Sequence, residues 1–112
     1  MSDRVIMKGT TASVTSPVPV VADGNNLLVV VNIESGAGTV TVTIKGVTSS
    51  GYKYTLLAST ALTGVGVTAL EIGRGATPAA NLAANRIVPP TVEITTVVTG
   101  TISYGVDAIS ED

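Results

Sequence analysis

The chain has 112 residues and neither histidine nor cysteine, so its chemistry must come from fourteen charged side chains, three tyrosines and its hydroxyls. Without His it lacks the commonest general base and the commonest transition-metal ligand. Without Cys it has no disulfide, thiolate zinc site or thiol nucleophile. The acids are Asp3, Asp23, Glu34, Glu71, Glu93, Asp107, Glu111 and Asp112. Two carboxylates facing a glycosidic bond would make a glycosidase, but no spacing here brings such a pair together. No run of alternating acids forms a calcium loop. "GVGVTA" and "GRGATPAA" are Gly-spaced, yet no Gly-Lys-Ser/Thr follows to make a phosphate loop. Their glycines read as tight turns and the acids as solvated charge. No catalytic residue, cofactor or metal site is assigned, and the chain is expected not to be an enzyme.

Three positions have a functional reading beside a structural one. Arg74, between two glycines in "EIGRGATPAAN", is either a partner-binding tip or a solubilising loop charge. Arg86 is read as a structural partner of Glu71 or Glu93. Tyr52 and Tyr54 share one face of a strand, where packing is the first reading and ligand stacking the second.

Composition narrows the class. Charged residues make up 12% of the chain, against about 25% in globular domains generally. A folded monomer of this size exposes roughly 5,700 Å², so each charge serves roughly 400 Å², the scale of a notable apolar patch. Mean hydropathy is positive. Part of the surface is therefore expected to be covered by further copies of the chain or by a larger assembly. The net charge is -2 and the six cations are scattered, so a nucleic-acid surface, which needs a basic patch, is not expected. "MSDRVIMKGTT" holds no apolar core of signal-peptide length. The longest apolar run, Leu27 to Val31, falls far short of the about 20 residues that cross a bilayer. Together with the absence of Cys, this predicts a soluble protein made in a reducing cytoplasm, with no membrane partner.

The elements that would carry these residues are strands. "TVTVTIKG" alternates strictly, with Val40, Val42 and Ile44 on one face and Thr39, Thr41, Thr43 and Lys45 on the other. "TVEITTVVTG" puts Val92, Ile94 and Val98 on one face. "TISYGVDAIS" points Ile102, Tyr104, Val106 and Ala108 inward, and Gly100 between these two runs predicts a tight antiparallel hairpin. "NLLVVVNIES" is apolar on both faces, as in a central strand or one with a core face and an interface face. Strands are also expected from Tyr52 to Ala58, joined to the preceding one through "VTSSG", and from Val67 to Ile72. Six to eight short strands with Gly breaks predict an all-β antiparallel sandwich, jelly-roll or Ig-like. At most one short helix is expected near residues 77–85, with Thr77 as N-cap and Pro78 at its first position. Residues 1–25, holding Pro17 and Pro19, read as an extended N-terminal arm or edge strand. They would enter a 26–112 body through the turn Asp23-Gly24-Asn25.

From "GVTSSGYKYTLLAS" through "TALTGVGVTALEIGRGATPAANLAANRIVPP" to "TISYGV", over about residues 40 to 110, the chain resembles small all-β structural proteins of tailed bacteriophages. The resemblance implies a virion component on the outer capsid surface, a decoration or cement protein made in the host cytoplasm. It implies the major capsid protein and further copies of the chain as partners, as a homotrimer before a dimer. A neck, tail or head-fibre component is the alternative, and a carbohydrate-binding or adhesion sandwich a more distant one. Candidate contact residues are Val5, Met7, Val14, Pro17 and Pro19 in the arm, added as a strand to a partner's sheet edge, and Arg74 at its loop.

Overall fold

The Thr39–Lys45 alternation is realised residue by residue: Val40, Val42 and Ile44 are buried without remainder, and the threonines between them face out. Pairing on both sides supplies the backbone partners that a buried strand requires. A computed structural model describes residues 2–21, 26–74 and 76–111. Its strands are β1 (Ser2–Thr10), β2 (Val14–Val21), β3 (Asn26–Gly36), β4 (Thr39–Val47), β5 (Lys53–Ala58), β6 (Gly66–Gly73), β7 (Ala83–Ala84), β8 (Thr91–Thr99) and β9 (Ile102–Glu111). Among the described residues there is no helix.

The strands form two sheets, ordered β1-β9-β3-β6-β7 and β2-β8-β4-β5. With the two-residue β7 set aside, the first strand pairs with the last, β2 with β8, β3 with β6 and β4 with β5, all antiparallel. That nesting is one long hairpin wound around a core, the jelly-roll form of a β-sandwich. Leu27, Val29, Val31, Leu70, Ile72 and Tyr104 from one sheet meet Val40, Val42, Ile44, Val92 and Ile94 from the other, all at most 1% exposed.

Winding explains where the sequence reading and the structure part. β8 and β9 do not form the hairpin expected at Gly100; they lie in different sheets. The chain turns a corner there, beside the equivalent corner from β3 to β4, and the Ala37 N–H donates to the Thr101 carbonyl (2.8 Å). The two corners touch backbone to backbone: a Cβ on Gly38 would stand 2.2 Å from the Thr99 carbonyl oxygen. Gly100, at φ 76°, supplies a conformation other residues resist. The β4–β5 hairpin forms as expected, closed by Thr48 and Tyr52 and by Gly51 at φ 87°.

Residues 77–85 contain a turn and β7 where a short helix was allowed. Asn81 sits at φ 62°, which ends helical continuation after one turn, and the Ala83 N–H donates to the Ala79 carbonyl. Ala-rich residues offer a helix little apolar face to bury. Docking Ala83–Ala84 in parallel beside β6 gains the bond from the Glu71 N–H to the Leu82 carbonyl (2.9 Å). The turn expected at Asp23-Gly24-Asn25 lies outside the described residues.

Candidate interaction surface

The N-terminal strands belong to the body. β1 is the outer strand of one sheet and β2 the outer strand of the other, so residues 2–21 sit as edge strands and do not leave the body as an arm. A polar relay, buried at Thr96 and Tyr104 and part-buried beyond them, ties their connection down. The Val14 N–H donates to Thr96 Oγ1 (3.1 Å), and the Tyr104 hydroxyl donates to the Ala12 carbonyl (2.8 Å). The 2.6 Å contact between Thr96 Oγ1 and the Tyr104 oxygen then runs from threonine to tyrosine. Next to it the Val98 N–H donates to Ser13 Oγ (2.8 Å). Burial holds the Tyr104 phenol above its usual pKa, partly offset by the hydrogen bond from Thr96.

The predicted contact residues are separated by this arrangement. A bulge between Val5 and Met7 sets Val5 opposite Asp107 and Met7 opposite Val106, so the two side chains face opposite ways although they are two residues apart. Val5 is 60% exposed, whereas Met7 is 6% exposed and lies in the core. Val14 packs against the core, so Met7 and Val14 are not free to fill a partner's pockets. Pro19 is exposed on β2. Pro17 is also on β2, with its side chain outside the described residues. Arg74 is exposed in the turn after β6.

Each sheet edge is guarded against strand addition. β1 is interrupted by two register shifts and carries Arg4 and Lys8. β2 is shifted between Val14 and Val18 and holds two prolines, which donate no N–H. On β5 the Thr55 carbonyl accepts from Arg86 (3.2 Å), and the Ala58 carbonyl just beyond accepts from Asn81 (3.0 Å). β7 covers the edge of β6. Arg86 thus has a structural role, but with β5 and not with Glu71 or Glu93. Glu93 pairs instead with Lys53 (2.9 Å), the one ion pair among the described residues. Its enclosed Oε1 has that ammonium as partner.

With the edges closed, the faces and ends remain. One end carries an apolar shelf. Val21 pairs with Thr91, and Thr91 with Val47. Tyr54 and Pro89 both lean over Gly46, where a Cβ would meet the Tyr54 ring at 2.6 Å and Pro89 Cγ at 2.9 Å. A groove of about 480 Å³ runs along Val47, Thr48, Ser49, Pro89, Pro90 and Thr91, with no charged residue in its lining. In the segments that adjoin it Tyr52 is 75% exposed, Ile87 68% and Val21 56%, and Lys53 stands opposite Val47. Tyr52 is therefore neither core nor packed on the sheet face, and Tyr54 packs along one side only. Sequence reasoning missed Ile87 and Val21; the signal available was the Val-Pro-Pro run, which halts the chain beside the β4–β5 turn. No three metal-ligating groups gather among the described residues. Compared by sequence, the chain matches no described protein family and no curated protein.

Proposed function

We propose that this protein is a non-enzymatic structural component of a tailed-phage virion, a decoration protein that binds and stabilises the outside of the head. The shelf around Tyr52, Ile87 and Pro89 carries the reading. An aromatic-rimmed groove with no charged residue in its lining, flanked by Lys53 and Arg86 on a body with closed sheet edges, suits a partner's surface, because Tyr contributes much contact area for few lost rotamers. The relay at Tyr104 and the wound hairpin suit a rigid body that docks without rearranging. The expected partners are the major capsid protein and further copies of the chain, as a trimer before a dimer.

The test is to mix the purified chain with undecorated heads and measure co-sedimentation of the wild type and of Tyr52→Ser and Ile87→Ser. Both residues are exposed, so both variants should fold. Losing such an anchor typically costs about 2 kcal/mol, or about 30-fold in affinity. Failure of the wild type to bind heads would move the assignment to a neck, tail or head-fibre part. A second reading follows from Tyr52 beside Thr48 and Ser49: a ring and hydroxyls around a neutral groove also suit a neutral saccharide. Binding to glycans with no binding to heads would favour it.

A further inference from the structure

The five-strand sheet carries a notch on its outer face that is one side chain deep. Across β1, β9 and β3, Val5, Asp107 and Val30 stand in one row. The next outward position on β9 is Gly105, which leaves a hollow of about 340 Å³. A Cβ there would lie 3.1 Å from the Met7 carbonyl oxygen and 4.0 Å from Glu34 Oε1, so the Glu34 carboxylate reaches over the glycine. Glu34 is placed there by a register shift in β3 between Ile33 and Ser35. The notch therefore has an aliphatic wall, Val5 and Val30, and two carboxylates, Glu34 and Asp107, with Lys8 and Asn32 also in its lining, so that it is acidic by one net charge. Neither carboxylate has an ion pair among the described residues.

An aliphatic wall ending in carboxylates matches an arginine, whose stem packs on apolar surface while its planar head takes two hydrogen bonds. Most of the chain's cations are placed elsewhere. Lys53 pairs with Glu93, and Arg86 bonds β5. Lys45 stands on the other sheet opposite Glu93, Arg4 belongs to β1, and Lys8 lines the notch without an ion pair to either carboxylate. Arg74 is the protruding one: exposed, just past Gly73 at the end of β6, with no hydrogen bond or ion pair to the described residues. It leaves from the end of the sheet on which the notch opens, just past Gly73, which pairs with Asn26, whereas Val30 of the notch row pairs with Ala69.

We infer that Arg74 of one copy enters the Val5–Val30–Gly105 notch of the next, between Glu34 and Asp107, and that this contact links the copies into a ring. The inference rests on the reading of the chain as an assembly protein. Donor and acceptor lie on different surfaces, so the contact is heterologous, and repeated rotation either closes a ring or builds an open chain. Patches on the two opposite outer faces of a sandwich would stack in a column. An end and a face point in directions closer to a right angle, and rotation closes them after few copies. Two contacts of about 800 Å² per partner fit on a molecule exposing 5860 Å².

The test is sedimentation velocity of the full chain, with folding of every variant checked by circular dichroism. Wild type should sediment as a closed oligomer in low salt and dissociate near 1 M salt, where the Debye length is about 3 Å. R74E and D107K should each weaken association at least about tenfold, and R74E/D107K should recover most of it, because the notch and the tip exchange sign together. A monomeric wild type at every salt concentration overturns the inference, as do single variants of unchanged mass or a double variant without recovery. Binding of the same proteins to heads separates the two readings. Rings that ignore heads sink the decoration reading alone, and monomers that bind heads sink the ring alone.

Discussion

Tyr104 is the largest fully buried side chain, and its hydroxyl joins Ala12 and Thr96 across 92 and 8 residues of sequence. Tyr104→Phe removes the part-buried bond to the Ala12 carbonyl and the buried contact with Thr96 Oγ1, a loss of about 1 kcal/mol. The pH dependence has a definite sign. Burial raises the phenol's pKa in the folded state, whereas an unfolded Tyr ionises near 10. The folded chain therefore holds this proton at pH values where the unfolded chain loses it. The stability tied to the neutral phenol is complete below about pH 10 and declines as pH rises further. Denaturant titrations between neutrality and strong alkali should show a steeper alkaline decline in wild type than in Tyr104→Phe. Parallel profiles would contradict this. Tyr104 was legible as inward from the alternation of β9; its partner Thr96 was not, because a threonine at an inward position looks like one at an outward position until a tyrosine is seen across the core.

At the scale of elements, the legible strands were those whose alternation runs unbroken, β4 and β9 above all. The N-terminal strands were hidden by the devices that protect them. The bulge after Val5 reverses the face on which Met7 lies, and the prolines of β2 resemble linker residues. The corner at Gly100 was misread because a glycine between two strands serves a hairpin and a change of sheet equally well. Of the candidate surface, Arg74 and the two tyrosines stood out in sequence, whereas the notch depends on pairing between residues far apart in the chain, Val5 and Val30 with Asp107 and Asn32 with Gly105. The structure makes a plain prediction about β1 and β2. They supply Met7 and Val20 to the core and cover the otherwise open edges of β8 and β9. Deleting residues 2–21 should therefore abolish the cooperative thermal transition instead of leaving a folded 26–112 body. A truncated protein that melts like the full chain would show that the two edge strands are dispensable.

At the scale of the whole molecule, 14 charged side chains share 5860 Å² of surface, which leaves room for apolar patches of the size that mark interaction sites. Closed edges prevent those patches from inviting indiscriminate strand pairing, so association is confined to faces and ends that have shape. An apolar shelf at one end and an acidic notch on one face are the two separate contacts that the proposed assembly uses, one for a supporting lattice and one for further copies. The most direct measurement of the proposed virion role is cryo-electron microscopy of tailed-phage particles incubated with the chain, with the chain located by its fold. The account predicts a jelly roll on the outside of the head, shelf inward against the major capsid protein. Density confined to the neck, tail or fibres, or particles lacking the chain altogether, would contradict it.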